Sequence, residues 1–509
     1  MGDIAIERLA LKRLGFDQLR PGQLRAVSAL VAGKDALVVL PTGGGKSAIY
    51  ELAGMLREGP TVVVSPLIAL QDDQLAHLRA AGLGAIVLNS HQSSREHAAA
   101  LAASCSPDSF VFLSPEQLSN PETLDVLRRA RPGLFAVDEA HLISQWGHDF
   151  RTDYLRLGAQ ADALEVPVRL ALTATAAQPT QHEIVRRLEL REPEIVIGDF
   201  DRPNISLAVE RVRTEAEKQR ALTAFAAEHE GPGIVYAATH ADAEAARDAL
   251  AAAGESATLY HAGLSPRARR DAMNAFLDGS ARIVVATVAF GMGIDKPDVR
   301  WIVHVDPPPS LDAYYQEIGR AGRDGEPAHV LLLYRPEDFG SAVHFTSRGV
   351  SQASVARVAA VLAFGEEVPA SRGTTAALMR LVDVGAAELD ATGAVRWTGA
   401  LDVASALAAS EAEALREVEI ERSRLDMMRR YAEHTGSRRS FLLSYFGQST
   451  GATAEAEPFA PGERVVSERW GSGTVQRYDG DQMTVLFDEH GYRDLLVPLV
   501  VNRRLLRRV

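Results

Sequence analysis

Two short stretches hold residues whose types and spacing suit phosphate chemistry. In PTGGGKS, Pro41 to Ser47, three glycines run directly into a lysine and a serine, and the whole follows the apolar segment ALVVL. Bare backbone N–H groups at Gly43, Gly44 and Gly45, with the start of a following helix, can surround a phosphate. Thr42 opens this loop, Lys46 adds a mobile positive charge and the Ser47 hydroxyl would ligate Mg²⁺. The first glycine of the full phosphate-loop pattern is missing, so a glycine turn without a chemical role remains an alternative. The second stretch is FAVDEAH, an apolar run that ends in Asp138 and Glu139. Acids at a strand's carboxyl end face the crevice where α/β sheets bind ligands. Asp138 could hold Mg²⁺ through water, and Glu139 could orient and deprotonate an attacking water. A pair of solvated loop acids is the competing reading, and it leaves unexplained why both stretches sit at strand ends.

Phosphoryl transfer also needs cations on the developing charge. YYQEIGRAGRDG supplies Arg320 and Arg323, three residues apart, a spacing that on a helix places both on one face. From there they could reach one phosphate group across a cleft between two domains, making hydrolysis depend on closure.

The elements that must position these residues follow from a rhythm in the chain. ALVVLP, TVVVSPL, AIVLNS, FVFLSPE, LFAVDEAH and RLALTATA recur from about 34 to 175 with helix-like segments between them, the pattern of a parallel sheet covered by helices. A second set follows in GIVYAAT, ATLYHAG, ARIVVATVAFG, WIVHVD and HVLLLYR. The class is α/β, with two such domains over 1–205 and 206–340 joined near Asp199–Asn204. Residues 351–410 change to Ala/Leu helices with a hairpin in LDATGAVRWTG, which fits either a winged helix or a plain helical connector. Residues 411–447 are charged and amphipathic, 448–460 form a linker by composition, and 461–509 hold short strands between Gly and Asp turns, the pattern of a small β-barrel.

Composition bounds the rest. At 509 residues the chain exceeds one ordinary core, so several domains are expected. The net charge of -13 argues against a protein that is basic all over, yet a local positive stripe suffices for a nucleic-acid backbone. The single cysteine, Cys105, excludes a disulfide framework or a multi-cysteine zinc site and reads as a semi-buried small residue. No apolar run approaches the length of a membrane span and no signal-like segment opens the chain, so a cytoplasmic protein without membrane contact is expected.

The order of these segments over the first 340 residues resembles the core of superfamily 2 helicases, specifically the RecQ family of DNA helicases. That resemblance implies two tandem RecA-like domains, ATP with Mg²⁺, and 3′ to 5′ movement on single-stranded DNA in a DEAH-box enzyme of repair or recombination. GFDQLRPGQ resembles the family's adenine-reading motif, which implies that Phe16 stacks on the base while Arg20 and Gln23 bind nucleotide. LISQWGHDFRTDY, Leu142 to Tyr154, resembles the aromatic-rich loop that senses single-stranded DNA, with Gln145, Trp146, His148, Phe150 and Arg151 matching. Aromatics can stack on unpaired bases without reading sequence, so the match also makes physical sense. ALTATA implies coupling through Thr173 and Thr175; FGMGIDKPDVR implies that Gly293 and Asp295 approach nucleotide and DNA; YHAGLSPRAR, with His261, resembles a strand-gripping segment whose simplest alternative is a turn and helix cap at Gly263–Ser265.

The chain also departs from the family. YAEHTGSRRSFLLSYFG resembles the helices of a zinc-binding platform, but Ala432 and Ser437 stand where the family has cysteines, and no later pair exists. Without thiolates no soft tetrahedral cage forms, so no structural zinc is expected. Tyr431, Phe441, Leu442, Tyr445 and Phe446 would pack the platform, with Arg438 and Arg439 facing outward toward solvent or DNA backbone. A winged helix at 351–410 would precede the platform rather than follow it, and Trp397 is the only aromatic in its hairpin able to stack on a terminal base pair. The final segment resembles the Tudor-like, SH3-like barrel of UvrD-type helicases, with Trp470, Tyr478 and Tyr492 as surface or core and a protein partner as one implication. Forked or 3′-overhang DNA and a bacterial, nucleoid-associated setting complete what the resemblance implies. A translocase or annealing ATPase without strong unwinding, and a DNA-binding scaffold with a vestigial site, are the alternatives.

Overall fold

Short runs of β-branched residues such as ALVV and TVVV are buried along their whole length, as strands covered on both faces must be. The computed structural model describes residues 3–16, 18–41, 43–66, 68–89, 92–143, 152–175, 178–288, 290, 296–340, 350–368, 374–390, 393–448, 458–479 and 482–509. Its strands β1 (Ala36–Val39), β2 (Thr61–Val64), β3 (Gly84–Leu88), β4 (Ser109–Leu113), β5 (Leu134–Val137), β6 (Arg169–Thr173) and β7 (Glu194–Ile197) form a parallel sheet of order β3-β4-β2-β5-β6-β1-β7. Val39 pairs with Thr173, and Ala171 with Val137. This register brings the carboxyl ends of β1, β6 and β5 to one edge, with about 5 Å between neighbouring strands.

The chain divides into two compact units, Met1–Asp199 with Gly349–Leu415, and Phe200–Arg348 with Arg416–Val509. In the first unit a helical layer joins the α/β layer. Helices Gln352–Ala363 and Thr375–Asp383 and the antiparallel hairpin of β14 (Ala387–Leu389) and β15 (Val395–Trp397) share a small core. Arg187, bonded to Glu183 at 2.8 Å and to Asp383, ties that layer to the sheet domain. Trp397 is half-buried against Val355, Leu378 and their neighbours. Its remaining surface is exposed, so this packing leaves the expected stacking role of Trp397 as it stood.

The second unit holds β8 (Ile205–Arg211), β9 (Gly233–Tyr236), β10 (Ala257–Tyr260), β11 (Ile283–Ala286), β12 (Trp301–His304) and β13 (Ala328–Tyr334), all parallel in the order β10-β11-β9-β12-β13-β8. Lys218, buried, is bonded to Asp306 at 2.7 Å and Asp338 at 3.1 Å behind this sheet. The later part of helix Val403–Glu433 and helix Arg438–Tyr445 pack on the same unit. A final antiparallel sheet follows, made of β16 (Arg464–Ser467), β17 (Gly471–Asp479), β18 (Gln482–Phe487), β19 (Gly491–Leu496) and β20 (Arg507–Arg508) in the order β19-β18-β17-β16-β20. Trp470 and Tyr478 pack against its core of Val465, Val475, Val485 and Phe487, and Tyr492 is buried. All three aromatics thus serve packing. Cys105 is exposed rather than semi-buried, because it follows the end of helix Ser94–Ala103 at the surface. Among the described residues no helix is long and apolar enough to cross a membrane.

Candidate nucleotide site and the arginine turn

Between β1 and helix Lys46–Met55 the chain turns through Gly43 at φ +77° and Gly45 at φ +72°. Both conformations are left-handed and disfavour any side chain. At Gly44 space decides instead, since a Cβ would lie 2.7 Å from the Pro41 carbonyl oxygen and 3.1 Å from the Leu40 Cβ. The result is a cradle of bare backbone at a helix N-terminus, a form that suits a phosphate. Thr42 lies outside the described residues. Gln23 clamps the cradle from outside: its Nε2 donates to the Gly45 carbonyl at 2.9 Å and the Gly44 carbonyl at 3.3 Å, and its Oε1 accepts from the Arg20 N–H at 2.9 Å. Arg20 donates to the Gly43 carbonyl at 3.2 Å. Phe16 is half-buried against the domain core. Lys46 Nζ donates to the Leu40 carbonyl at 3.3 Å, and Ser47 is half-buried in the helix's first turn.

Asp138 stands at the end of β5, with its N–H on the Val64 carbonyl at 2.8 Å and its carboxylate accepting from the Glu139 N–H at 2.9 Å. Burial, reinforced by the charge of Glu139, pushes the Asp138 carboxyl up to about 6 against the pull of Lys46 and His141. A buried acid within electrostatic reach of the loop lysine is a fitting holder for a cation. Glu139 has φ +51°, a left-handed conformation uncommon for a residue other than glycine. Its carboxylate lies 3.3 Å from His141 Nδ1, which is also 3.0 Å from Thr173 Oγ1. Thr173 Oγ1 donates to the Thr175 carbonyl at 2.9 Å. An acid, an imidazole and two threonines thus form one buried chain. His141 was not anticipated, although its place two residues after Glu139 in DEAH was the available signal. Deeper in the helix Glu51 is buried, which pushes its carboxyl up to about 7, with His77 3.8 Å away.

The expected DNA-sensing residues Gln145, Trp146, His148, Phe150 and Arg151 lie outside the described residues, as do Gly293 and Asp295.

In the second unit helix Leu311–Ile318 ends at Gly319, and Gly322 has φ +53°. Arg320 and Arg323 therefore stand in turns beyond the helix, which corrects the expectation that they share a helical face. What fixes them is tertiary: Arg202 donates to the Ala321 and Gly322 carbonyls at 2.9 Å, and Asn204 Nδ2 to the Gly322 carbonyl at 2.9 Å. In the sequence Arg202 and Asn204 stand only as part of the joint near Asp199–Asn204. Arg320 is buried, and its charge, with that of Arg323, bears on Tyr236 at the end of β9. Tyr236 donates to the Phe290 carbonyl at 3.1 Å.

His261 is buried and stacks on His240 with ring centroids 4.2 Å apart, and Glu244 is 3.7 Å away. Burial, then the neighbouring His240, holds its pKa below the ordinary value. Ser265 caps helix Pro266–Leu277 by accepting from the Ala268 N–H at 3.2 Å.

On the platform the two arginines do not face outward. Arg438 donates to the Tyr431 carbonyl and, at 3.3 Å, to the Ala432 carbonyl, lying over the Tyr431 ring. Arg439 reaches Asp201 at 3.2 Å and the carbonyls of Pro203 and Ile205 at 3.1 and 3.0 Å. The end of helix Val403–Glu433 leaves carbonyls without intrahelical partners, and the Arg438 guanidinium satisfies two of them. Where thiolates would stand in the family, Ala432 is buried and Ser437 caps the last platform helix by accepting from the Ser440 N–H at 3.2 Å. Among the described residues there is no group of three His, Cys, Asp or Glu able to hold a metal.

Two parallel-sheet units, one with a glycine cradle and strand-end acids and the other with a clamped arginine turn, define a helicase-type nucleotide-binding core. The DEAD/DEAH box helicase family matches residues 20–184, and the helicase conserved C-terminal domain matches 217–325. ATP-dependent DNA helicase RecQ of Synechocystis sp. is 40% identical over 334 residues, covering 64% of this chain and 70% of that protein. The probable ATP-dependent DNA helicase RecS of Bacillus subtilis is 40% identical over 327 residues, covering 64% and 66%. RecQ of Pasteurella multocida is 39% identical over 343 residues, covering 66% and 54%. The chain belongs to the RecQ family of ATP-dependent DNA helicases. It spans 54% and 66% of the length of two of these curated relatives. Among solved structures, the DUF1998 helicase MrfA bound to DNA matches with a TM-score of 0.55 at 18% identity, covering 79% of this chain and 63% of that one. Mycobacterium smegmatis helicase Lhr bound to ssDNA and AMP-PNP gives 0.53 at 20%, covering 82% and 62%. Those two likenesses concern the fold.

Proposed function

We propose that this chain is an ATP-dependent DNA helicase that moves 3′ to 5′ along single-stranded DNA and unwinds forked or 3′-overhang duplexes in bacterial repair or recombination, as a cytoplasmic, nucleoid-associated enzyme. The observation that carries the reading is the delivery of the buried Asp138 to the same sheet edge as the glycine cradle of Lys46, in a chain of the RecQ family. The cradle fits the phosphates of ATP because Gly43 and Gly45, both at positive φ, leave bare backbone at the N-terminus of helix Lys46–Met55. Ser47 and Asp138 would hold Mg²⁺, which when bound neutralises phosphate charge. Glu139, oriented by its strained backbone and by His141, takes the proton of the attacking water. Lys46 holds the phosphates, Gln23 and Arg20 fix the loop that contacts them, and Phe16 meets the base. Arg320 and Arg323 are assigned to the transferring phosphoryl group on their spacing, the burial of Arg320 and the family resemblance. Thr173 and Thr175 couple hydrolysis to movement, while Gln145, Trp146, His148, Phe150, Arg151, Gly293, Asp295 and His261 are assigned to DNA or nucleotide by resemblance alone. A protein partner on the C-terminal sheet belongs to the same reading.

A second reading, an ATPase that translocates or displaces proteins without strong unwinding, is favoured by the partial burial of Trp397, the aromatic of the β14–β15 hairpin, against its local core. One experiment tests both. Steady-state ATP hydrolysis is measured with and without single-stranded DNA, beside strand displacement on 3′- and 5′-overhang duplexes, with Glu139→Gln and Trp146→Ala as controls. Stimulated hydrolysis with 3′-overhang unwinding supports the helicase. Stimulated hydrolysis alone supports the translocase, and no hydrolysis with any polynucleotide removes both.

A further inference from the structure

The helix that leads into the arginine turn, Leu311–Ile318, is contacted by residues from far along the chain. In its first turn Asp312 accepts a hydrogen bond from Tyr445 Oη on the platform. Tyr445 is buried and stacks on Tyr492 of β19, with ring centroids 5.3 Å apart and planes at 28°. The Tyr492 N–H donates to Ser423 Oγ at 3.1 Å, and the preceding Gly491 approaches so closely that a Cβ there would lie 2.1 Å from that oxygen. Arg424, buried beside this group, pairs with Glu421 at 3.4 Å. Arg477 of β17 lies over the Phe441 ring at 3.9 Å, a second anchor between sheet and platform.

A second route starts two residues further along the same helix. Tyr431 Oη donates to Tyr314 Oη at 3.3 Å, the Tyr314 ring lies 5.0 Å from that of His304, and His304 Nε2 is 2.8 Å from Glu317. His304 stacks on Tyr236, on which Arg320 bears. Every group on both routes is buried or nearly so, and close-packed interiors transmit displacement rather than absorb it.

We infer that Asp312, Tyr445 and Tyr492 are positioning residues for the arginine turn: the C-terminal sheet, acting through the platform tyrosine, sets where the helix before Arg320 sits. This rests on the proposed role of Arg320 in hydrolysis. A displacement of an ångström in a charge-stabilising group costs rate without costing affinity for the ground state.

The test uses the full chain with Tyr445→Phe, Asp312→Asn, Tyr492→Ala and Tyr492→Phe. Tyr445→Phe removes one oxygen and leaves the packing, so it keeps the test sound if the larger truncation folds poorly. At saturating single-stranded DNA, well below the melting transition, kcat for ATP falls about tenfold in the first three while KM for ATP stays within about twofold. Tyr492→Phe keeps the stack and recovers most of the rate. Amide hydrogen exchange of residues 311–318 is read in the same proteins and speeds up in Tyr492→Ala. Lowered melting temperature with kcat unchanged overturns the inference, as does unchanged exchange in Tyr492→Ala. An unmutated chain that hydrolyses no ATP would count against the proposed function instead, and the exchange measurement would then decide the positioning role by itself.

Discussion

At the carboxyl edge of the first sheet, Lys46 and Asp138 stand within a few residues of the strands that deliver them, and Gly43 to Gly45 shape their own loop. In the second unit Arg320 and Arg323 lie past the end of their helix, in turns held by Arg202, which is 119 positions away from the Ala321 carbonyl it binds. The first region is built by its own strand ends and glycine turn, with Gln23 and Arg20 bonded to the loop carbonyls, and the second is held by clamps from far along the chain. Substitutions in the first should therefore act on chemistry or phosphate binding directly, whereas substitutions around the second can act from residues that never meet the substrate.

Glu139→Gln gives the largest expected effect: hydrolysis falls on the order of 10,000-fold while a fluorescent ATP analogue still binds, as removal of a general base at a preformed site predicts. Retained turnover would break the local half of the comparison. Arg320→Ala should lower kcat about a thousandfold with little change in KM, checked by the same steady-state assay. The self-sufficiency of the first region is sharpened by Glu51. Its folded pKa of about 7 lies above its ordinary 4.5, so its contribution to stability is full below about pH 4.5 and is lost as pH rises through 7. Glu51→Gln should thus stabilise the chain at pH 8, by about 3 kcal/mol at most, and make no difference at pH 4.5 in urea unfolding. The smallest effect belongs to the clamp. Arg202→Ala should cost about tenfold in kcat at constant KM, and a fall in melting temperature alone would show that the arginine turn holds its shape without help.

Most of the framework was readable because a parallel sheet buried on both faces needs continuous apolar runs, and those of β1 to β6 and β9 to β13 are plain. The two strands that escaped, β7 and β8, are edge strands. Ile195 and Ile197 of β7 are 39% and 48% exposed, and β8 mixes buried and exposed positions, so neither makes a continuous apolar run. The glycine cradle and the acid pair were legible for a related reason: their geometry is local, and local geometry is written in adjacent residues. The arginine turn was misread as helix because spacing alone cannot tell a helix from the turns after it. Arg438 and Arg439 were misplaced because charge suggests solvent, while the unsatisfied carbonyls that captured them are invisible in a string of letters.

The exposed thiol of Cys105 has a practical consequence. As the chain's one thiol it can be labelled with a single maleimide dye without engineering any background. The label would report on the first unit alone, so its fluorescence, followed as nucleotide and then polynucleotide are added, separates what each ligand does to that half of the molecule.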